Sequence, residues 1–264
     1  MEQLITSRDN KYVKLAKSLC TKQGRDKEGM FIIEGYRNVR DASCKGAKIE
    51  FLLVSDKCSY DLTALKKHKM YNLAPKIFDY VSDTVTPQGI MAICRMEEIN
   101  FSDIELENDS LIVVCENLQD PGNAGTIIRS ADAAGAKAVI MAKGCVDVYN
   151  PKVTRSIMSS LFSVKVIQGK NIDSVFGFLK SNKIKSVAGA LTDKSVPLFD
   201  ADMKGSCAVF IGNEGNGLTA ETVKRCDTTV TIPMLGGAES LNASTAAAVM
   251  MYEFVRQNET YKKG

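Results

Sequence analysis

Three polar, glycine-containing segments carry the residue types that could do chemistry in this chain. They are 117-NLQDPGNAGTIIR-129, 212-GNEGNG-217 and 233-PMLGGAESLN-242, and each one follows a predicted strand. Glycines allow a ligand or a second backbone to approach closely, while the Asn, Glu, Ser and Arg side chains supply hydrogen bonds and charge. We therefore expect one site at the carboxyl ends of neighbouring buried strands.

Arg129 is the cation of the first segment, and it lies in the helix that we expect after the turn. Its neighbours Ile127, Ile128 and Ala131 predict that this part of the helix faces the core. An unpaired arginine in a core costs several kcal/mol. The pattern thus predicts either a functional arginine or a buried salt bridge.

The elements that position these segments alternate between strand and helix after residue 110. Apolar runs predict strands at 110–116, 138–142, 164–168, 185–191, 207–212 and 228–232; helices are expected at 123–135, 151–161, 172–181, 219–226 and 242–257. We expect Thr219 to cap its helix, with Glu221 in the first turn. Near-continuous apolar strands separated by helices predict an α/β fold with a parallel sheet.

The first third of the chain has a different pattern. It predicts a helix at 5–19 capped by Ser7 or Asp9, a charged turn at 22–29, strand–helix–strand over 30–55, short helices near 61–69 and 75–81, and a strand within 86–96. Residues 97–109 are acidic and rich in turn formers. We therefore predict two domains, 1–96 and 110–264, joined by a linker at 97–109.

The charge of the chain is unevenly distributed. Residues 1–96 hold 17 Lys and Arg against 11 Asp and Glu, whereas residues 97–264 hold 17 against 20. A basic module suggests a polyanionic partner, although a lysine-rich surface that faces only solvent would give the same charge distribution. Arg8, Lys11 and Lys14 recur every three residues in the first helix, so we predict that they contact RNA, and Arg25 with them.

Several classes of protein fit the composition poorly. The 264 residues contain one histidine, His68, which argues against a Ser–His–Asp triad or a histidine-based metal site. The eight cysteines form no C-x-x-C pair, so no metal site is predicted. No apolar run is long enough to span a membrane and no signal peptide is visible, so we expect a cytoplasmic protein.

The three segments resemble the motifs of the SpoU-type (TrmH-like) RNA 2′-O-methyltransferases of the SPOUT superfamily. The matching stretches are Asn117–Arg129, Ile211–Gly215 with Gly217-Leu218, and Ile232–Met234 with Ser240–Asn242. One such motif is a weak signal, but three in the family's order are a strong one. The resemblance implies S-adenosylmethionine as cofactor, a ribose 2′-hydroxyl of structured RNA as acceptor (rRNA before tRNA), and a homodimer.

The resemblance also implies a fold. It is a parallel-sheet, Rossmann-like catalytic domain with a C-terminal trefoil knot, preceded by a small ribosomal-protein-like α/β domain that helps to grip the RNA. Glu34-Gly35 and Pro87-Gln88-Gly89 match this smaller domain. Sequence rules alone would not predict a knot, because true knots are almost absent from proteins.

Matching residue by residue assigns expected roles. The resemblance implies catalytic roles for Arg129, Asn123, Glu214, Ser240 and Asn242, and cofactor contacts from Ala190, Leu191, Gly212, Ile232, Met234 and Leu241. A valine side chain at position 212 should crowd both the backbone conformation and the cofactor, and it should weaken cofactor binding while the protein stays folded and dimeric. Glu214, Ser240 and Asn242 could equally stabilise helix starts, so both roles stay open.

The stretch 149–166 is similar to the family through Asn150, Pro151, Lys152 and Arg155, and it departs from the family's pattern at Ile157 and Ser159. The resemblance makes Lys152 and Arg155 expected RNA phosphate contacts.

Three other functions stay open: methylation of an RNA base, RNA binding without turnover, and a plain nucleotide-binding α/β enzyme.

Overall fold

The computed structural model describes residues 4–258, which form two compact units. The first unit contains the described residues up to Glu97 together with the segment Asp147–Phe162. The second contains Glu98–Val146 and the described residues from Ser163 onward. Two units were expected, but the return of residues 147–162 to the first unit was not.

A four-stranded mixed sheet forms the centre of the first unit. Its strands are β1 (Met30–Glu34), β2 (Ile49–Ser55), β3 (Met70–Leu73) and β4 (Ile90–Arg95), in the order β1-β4-β2-β3. The helices are α1 (Lys11–Leu19), α2 (Lys22–Glu28), α3 (Tyr36–Cys44) and α4 (Pro75–Val81). Val13 and Leu19 of α1 pack with Leu53 of β2 and Phe78 of α4 in the core of this unit.

Local caps explain two differences from the sequence prediction. Residues 22–28 form helix α2 instead of a turn, because the Thr21 side chain accepts a hydrogen bond from the Gly24 N–H and Gly29 ends the helix with a left-handed φ of 62°. Helix α1 is shorter than predicted: it starts at Lys11, and Asn10 caps it instead of Ser7 or Asp9. Capping residues thus set both boundaries.

A seven-stranded parallel sheet forms the centre of the second unit. Its strands are β5 (Leu111–Cys115), β6 (Ala138–Ala142), β7 (Lys165–Lys170), β8 (Lys185–Gly189), β9 (Val196–Pro197), β10 (Cys207–Ile211) and β11 (Thr228–Thr231), in the order β7-β6-β5-β10-β8-β11-β9. The helices after residue 110 are α5 (Pro121–Ala133), α6 (Pro151–Ile157), α7 (Ile172–Ser181), α8 (Ala220–Arg225) and α9 (Ala243–Asn258). The predicted parallel α/β sheet is therefore confirmed.

The apolar strands of this sheet are buried as the sequence predicted. Every residue of β5, β6 and β10 is buried, which is typical of parallel strands covered on both faces. The edge strand β9 was not predicted, because two residues that include Pro197 give no alternating pattern. Thr219 caps α8 and accepts a hydrogen bond from the Thr222 N–H, as predicted.

Helix α6 and the 3-10 turn after it, Met158–Phe162, belong to the first unit. Val153 and Ile157 of α6 are fully buried, and the Thr154 hydroxyl donates to the Ile32 carbonyl of β1 at 3.3 Å. A fragment that starts at residue 110 would therefore expose apolar residues of α6 that normally pack on β1.

The acidic stretch expected as a linker packs on the second unit. Ile104 belongs to the core of that unit, and Phe101 stacks on Phe178 of α7 with ring centroids 4.8 Å apart. These apolar contacts fix a segment whose composition suggested a free connection.

Between residues 4 and 258, no helix combines the length and the apolar character that crossing a membrane requires.

Candidate active site

The ends of β8, β10 and β11 lie around one cavity of about 620 Å³ in the second unit. In this sheet β6 and β7 lie on one side of β5, whereas β10, β8 and β11 lie on the other side. The strand order therefore reverses at β5, and ligands of open α/β sheets bind at such a reversal, outside the carboxyl ends of the strands. The cavity lies next to this reversal, at the ends of β10 and of the two strands beyond it.

All six residues predicted to contact the cofactor line this cavity: Ala190, Leu191, Gly212, Ile232, Met234 and Leu241. Of the predicted catalytic residues, Glu214 and Ser240 also line it, while Ala246 and Met250 contribute from α9. Residues that lie up to 60 positions apart in the sequence, from Ala190 to Met250, are thus brought to one place by three parallel strands and one helix.

The cavity fits S-adenosylmethionine in size and chemistry. Its volume lies within the range of about 300–1,000 Å³ for small-ligand sites. Ile232, Met234 and Leu241 provide apolar side chains for a flat heterocycle, and the turn after β8 adds backbone polar groups. Gly189 allows α9 to pack closely here, because a Cβ at this position would lie 2.9 Å from the Met250 Sδ.

The glycine at position 212 has a structural reason in addition to the predicted contact with the cofactor. A Cβ built there would overlap the backbone of Gly217 and Leu218. The loop closes on itself at this point, since Asn213 N–H donates to the Gly217 carbonyl at 3.0 Å and Gly217 N–H donates back at 2.9 Å. A side chain at 212 would therefore distort the loop as well as approach a ligand in the cavity, which Gly212 lines.

Glu214 and Asn123, both predicted to be catalytic, are in contact. The Asn123 amide donates to Glu214 Oε1 at 3.1 Å, and the Asp120 N–H donates to the same oxygen at 3.0 Å. The Gln119 N–H donates to Oε2 at 3.3 Å. Glu214 thus stabilises the start of α5, a different helix from the following one that the sequence suggested.

These hydrogen bonds keep Glu214 ionised. Partial burial by itself raises the pKa of the Glu214 carboxyl, but the hydrogen bonds from Asn123 and from the backbone outweigh it, so the pKa lies below its ordinary value. The positive end of the α5 dipole acts in the same direction. The carboxylate is therefore a fixed negative charge beside the cavity at neutral pH.

Asn213 holds Glu214 and its loop in place, and the sequence prediction overlooked it. Its Oδ1 accepts hydrogen bonds from the Gly215 and Asn216 N–H groups at 2.9 and 3.1 Å. Its Nδ2 donates to the Asn117 carbonyl at 2.9 Å, which ties the turn after β10 to the turn after β5. Asn117 adopts a left-handed φ of 54°, one of two such non-glycine residues in the described chain.

Arg129 is exposed, which corrects the expectation that it faces the core. Ile127, Ile128 and Ala131 of α5 are fully buried, whereas Arg129 lies on the solvent side of the same helix. Within residues 4–258 its guanidinium makes no hydrogen bond or salt bridge. A buried structural salt bridge is therefore not the reason for an arginine here.

The two remaining catalytic predictions lie at the start of α9. Ser240 lines the cavity, whereas Asn242 does not. Asn242 Oδ1 accepts hydrogen bonds from the Ser244 N–H at 2.9 Å and from the Ser244 hydroxyl at 2.7 Å. Asn242 thus stabilises the helix start, as its alternative reading suggested.

Arg25 does not face solvent, so its predicted contact with RNA is wrong. Its side chain is 2% exposed, and its Nε and Nη2 donate to Asp147 Oδ2 at 3.0 and 2.7 Å. Its Nη1 donates to the Leu19 carbonyl at 2.9 Å. All these groups lie in the first unit, where Arg25 fixes the start of the 147–162 segment. The partner is 122 residues away in sequence, so local pattern could not identify it.

The other cations predicted to bind RNA remain at the surface of the first unit. Arg8 lies over the Tyr80 ring at 4.3 Å, and Lys14 forms a salt bridge with Asp9 at 2.8 Å. Lys11 and Lys152 are exposed, and Arg155 is half-buried with both terminal nitrogens 3.1 Å from Asp83 Oδ2. Exposed ion pairs contribute little stability, so a phosphate can compete for these cations.

Glu116 is a buried carboxylate that the sequence analysis did not select. It follows β5 and is 6% exposed; its oxygens accept hydrogen bonds from the Thr219 N–H at 2.9 Å and the Thr222 hydroxyl at 2.7 Å. Glu116 thus holds the start of α8 against the end of β5. An acidic residue directly after a continuous apolar strand was the available signal.

The described part of the chain holds no group of three or more His, Cys, Asp or Glu side chains arranged to bind a metal ion. All eight cysteines are free thiols. Burial raises the pKa of Cys145 to about 11 and that of Cys226 to about 12, so both thiols are protonated at neutral pH.

A parallel α/β sheet with an apolar, glycine-lined cavity outside its strand ends is typical of α/β enzymes that bind a nucleotide-like cofactor. The model of the SpoU rRNA Methylase family matches residues 110–252, and that of the MRM3-like substrate binding domain matches residues 10–92. The chain belongs to the SpoU rRNA methylase family.

Known proteins are similar to this chain over nearly its whole length. The 23S rRNA (guanosine(2553)-2′-O)-methyltransferase RlmP of Bacillus subtilis is 35% identical over 94% of this chain and 97% of its own length. The 23S rRNA (uridine(2479)-2′-O)-methyltransferase of Streptomyces viridochromogenes is 32% identical over 96% and 92%. A crystal structure of an AdoMet-bound rRNA methyltransferase from Sinorhizobium meliloti is similar with a TM-score of 0.88 and 28% identity, covering 96% and 97% of the two chains.

Proposed function

We propose that the chain transfers the methyl group of S-adenosylmethionine to a ribose 2′-hydroxyl of ribosomal RNA. Family membership and the activities named for the similar proteins support this function. The observation that carries it in the structure is the cavity itself, because all six residues predicted for the cofactor line it. Both named relatives act on 23S rRNA but on different nucleotides, so we propose large-subunit rRNA as substrate without naming the nucleotide.

We infer that the cofactor is held between the turns that follow β8, β10 and β11. Ile232, Met234 and Leu241 would cover the adenine, and the backbone at Ala190, Leu191 and Gly212 would contact the rest of the molecule. When bound, S-adenosylmethionine supplies an electrophilic methyl group. The chain must then bring a ribose hydroxyl into line with that group and lower the cost of removing its proton.

Arg129 is proposed to act on the acceptor side of the reaction. Its guanidinium is exposed and has no partner in the described chain, so it is available to a phosphate or to a developing alkoxide. A guanidinium is a permanent cation that only donates hydrogen bonds, so Arg129 is poorly suited to take up the proton of the hydroxyl. Holding the phosphate and stabilising the alkoxide charge is therefore the role we propose.

The remaining polar residues are proposed to position the ribose. Glu214 and Asn123 form one hydrogen-bonded pair, and Ser240 lines the same cavity as Glu214. Hydrogen bonds from fixed polar groups to the 2′-hydroxyl would polarise it at the moment of transfer. We propose that Asn242 adds an indirect effect, because it fixes the start of α9 next to Ser240.

We propose that the first unit binds the RNA substrate. Its positive charge and the match of residues 10–92 to a substrate binding domain support this role. Arg8, Lys11, Lys14, Lys152 and Arg155 are the proposed phosphate contacts, and Arg25 is withdrawn because it is buried. We also propose that residues 1–96 are a ribosomal-protein-like substrate domain, and that residues 110–264, apart from the segment 147–162 of the first unit, form the methyltransferase domain.

Three more specific features complete the proposal: a C-terminal trefoil knot, a homodimer and a cytoplasmic location. The knot is supported by the strand order, since β10 lies between β5 and β8 and the last helix, α9, packs against α5. The homodimer and the location are expectations from the family resemblance, and gel filtration with light scattering would test the first of them.

The test of function is a methyl transfer assay on rRNA that lacks the modification. rRNA purified from a strain without this gene is incubated with the full-length protein and S-adenosylmethionine labelled on the methyl group. Because a 2′-O-methyl group blocks alkaline cleavage of the neighbouring phosphodiester, we expect the label in an alkali-resistant dinucleotide. Label in a free base or nucleotide would indicate base methylation, and absence of label from rRNA would overturn the proposal.

A further inference from the structure

Two stacked tyrosines form an exposed aromatic surface on the first unit. Tyr36 is the first residue of α3, and Tyr60 lies in the loop between β2 and the 3-10 turn at Thr63–Leu65. Their ring centroids are 4.5 Å apart and their planes differ by 6°. Tyr60 is 42% exposed, although it is a large aromatic residue. One face of its ring is covered by Tyr36, so the exposed area lies elsewhere on the ring.

Hydrogen bonds hold Tyr36 and the loop residue that follows Tyr60 in place. The Tyr36 N–H donates to Gln88 Oε1 at 2.8 Å, and the Tyr36 hydroxyl donates to the Asp61 carbonyl at 2.9 Å. The Asp61 carboxylate in turn accepts from the Thr63 N–H at 2.9 Å and from the Thr63 hydroxyl at 2.6 Å. Tyr36 is therefore fixed, and Tyr60 stacks on it, so a ligand that packs on Tyr60 has little side-chain entropy to remove.

The glycine before Tyr36, Gly35, helps to fix the position of Tyr36. Gly35, which precedes Tyr36, has a φ of 100°, and a Cβ at this position would lie 3.2 Å from Gln88 Oε1. A larger residue would therefore strain the backbone and displace the glutamine that fixes Tyr36. The local sequence thus maintains the orientation of Tyr36 at some conformational cost.

The charge around the pair is mixed. Arg37 and Lys57 are exposed, and within residues 4–258 their side chains make no ion pair. The carboxylates of Asp56 and Asp61 lie in the same loop as Lys57 and offset part of this positive charge. Recognition here must therefore depend on stacking more than on charge.

We propose that Tyr60, supported by Tyr36, is a stacking platform for an unpaired base of the RNA substrate. Bases in single-stranded loops and bulges can leave their own stack and pack on aromatic side chains, whereas bases within a duplex cannot. Arg37 and Lys57 are then available to the flanking phosphates. The inference rests on the proposed RNA-binding role of the first unit, and it adds a preference for unpaired nucleotides.

The absence of tryptophan from the sequence makes a direct test possible. Tyr60→Trp keeps a stacking ring and introduces a single tryptophan as fluorophore into the full-length protein. We expect a short single-stranded oligoadenylate to quench its fluorescence, and an RNA duplex of the same length to leave the fluorescence nearly unchanged. Equal quenching by the two probes would overturn the platform.

Affinity measurements complete the test. Tyr60→Ala should weaken oligoadenylate binding by about 5- to 100-fold, the usual effect of losing one base–aromatic stack, while Tyr60→Phe stays close to wild type. Val85→Ala removes a fully exposed apolar side chain from the same unit and serves as the control. Equal melting temperatures would show that the variants are folded.

The outcomes separate the platform from the proposal on which it rests. If wild-type protein binds oligoadenylate and Tyr60→Ala binds it equally well, the platform is wrong and RNA binding by the protein stands. If wild-type protein binds neither probe, both the platform and the RNA-binding role of the first unit are overturned.

Discussion

Replacing Glu214 by glutamine tests whether this carboxylate joins the turn after β10 to the start of α5. Three N–H donors converge on the carboxylate at 3.0–3.3 Å, from Asp120, Asn123 and Gln119. Glutamine keeps the shape of the side chain but removes the charge and replaces one acceptor oxygen by an NH₂ group. That group cannot accept these hydrogen bonds, and it meets the positive end of the α5 dipole.

The expected loss of stability follows from these contacts. Losing a capping carboxylate costs about 0.5–2 kcal/mol, and the solvent exposure of Glu214 places the estimate near the middle of that range, at about 1 kcal/mol. For a chain of this size the loss corresponds to a fall in melting temperature of about 2–4 °C. Glu221→Gln is the matched control, since Glu221 is an exposed first-turn glutamate of α8 that does not line the cavity.

The pH dependence gives the sharper test. The folded pKa of Glu214 lies below its unfolded value, so its contribution is present above the unfolded pKa of about 4.3 and is lost as the pH falls through the folded pKa. We expect the free energies of unfolding of wild type and Glu214→Gln, measured with urea, to differ by a constant amount from pH 8 to about pH 6. The difference should shrink below about pH 5. A difference that stays flat or grows on acidification would refute this assignment.

Three other substitutions have definite expected outcomes. Arg25→Met should lower the free energy of unfolding by about 3–5 kcal/mol in chemical denaturation, because it leaves Asp147 without its cation. Lys27→Met, at a site that is 80% exposed, should leave the free energy of unfolding nearly unchanged. A loss below about 1 kcal/mol for Arg25→Met would contradict the burial of Arg25. Gly212→Ala should reduce stability and S-adenosylmethionine affinity together in calorimetry, while Gly236→Ala, which has open space around it, should change neither. Lys152→Ala should reduce the salt dependence of rRNA binding by about one phosphate contact and leave cofactor affinity unchanged; an unaltered slope would remove Lys152 from the interface.

Local pattern was sufficient for most elements of the second unit. The predicted ranges 138–142 and 172–181 coincide with β6 and α7, because continuous apolar runs and an amphipathic helix have clear periodicity. Helix α2 was missed because it contains no apolar stripe and depends on its two caps. Strand β9 was missed because two edge residues carry no period.

Non-local contacts set the limit of prediction for the site. The cofactor residues were predicted through motifs, and the sheet then brought them together around one cavity. Burial of Arg25 depends on Asp147, far away in the chain, and the crowding at Gly212 depends on how the loop closes. Neither the return of α6 to the first unit nor the solvent-facing position of Arg129 follows from the neighbouring residues alone.

The most direct test of the proposed chemistry is a comparison of wild type and Arg129→Ala in single-turnover methyl transfer, with the melting temperature measured on the same preparations. Because Arg129 is exposed and has no partner in the described chain, the variant should melt with the wild type and bind S-adenosylmethionine equally well. Its transfer rate should fall by at least about 100-fold, the effect of losing one preorganised charge at a reacting centre. Arg129→Lys should restore little of it if a planar, bidentate contact is required. A variant that transfers methyl groups at the wild-type rate, or one whose loss of activity merely follows a large fall in melting temperature, would contradict this account.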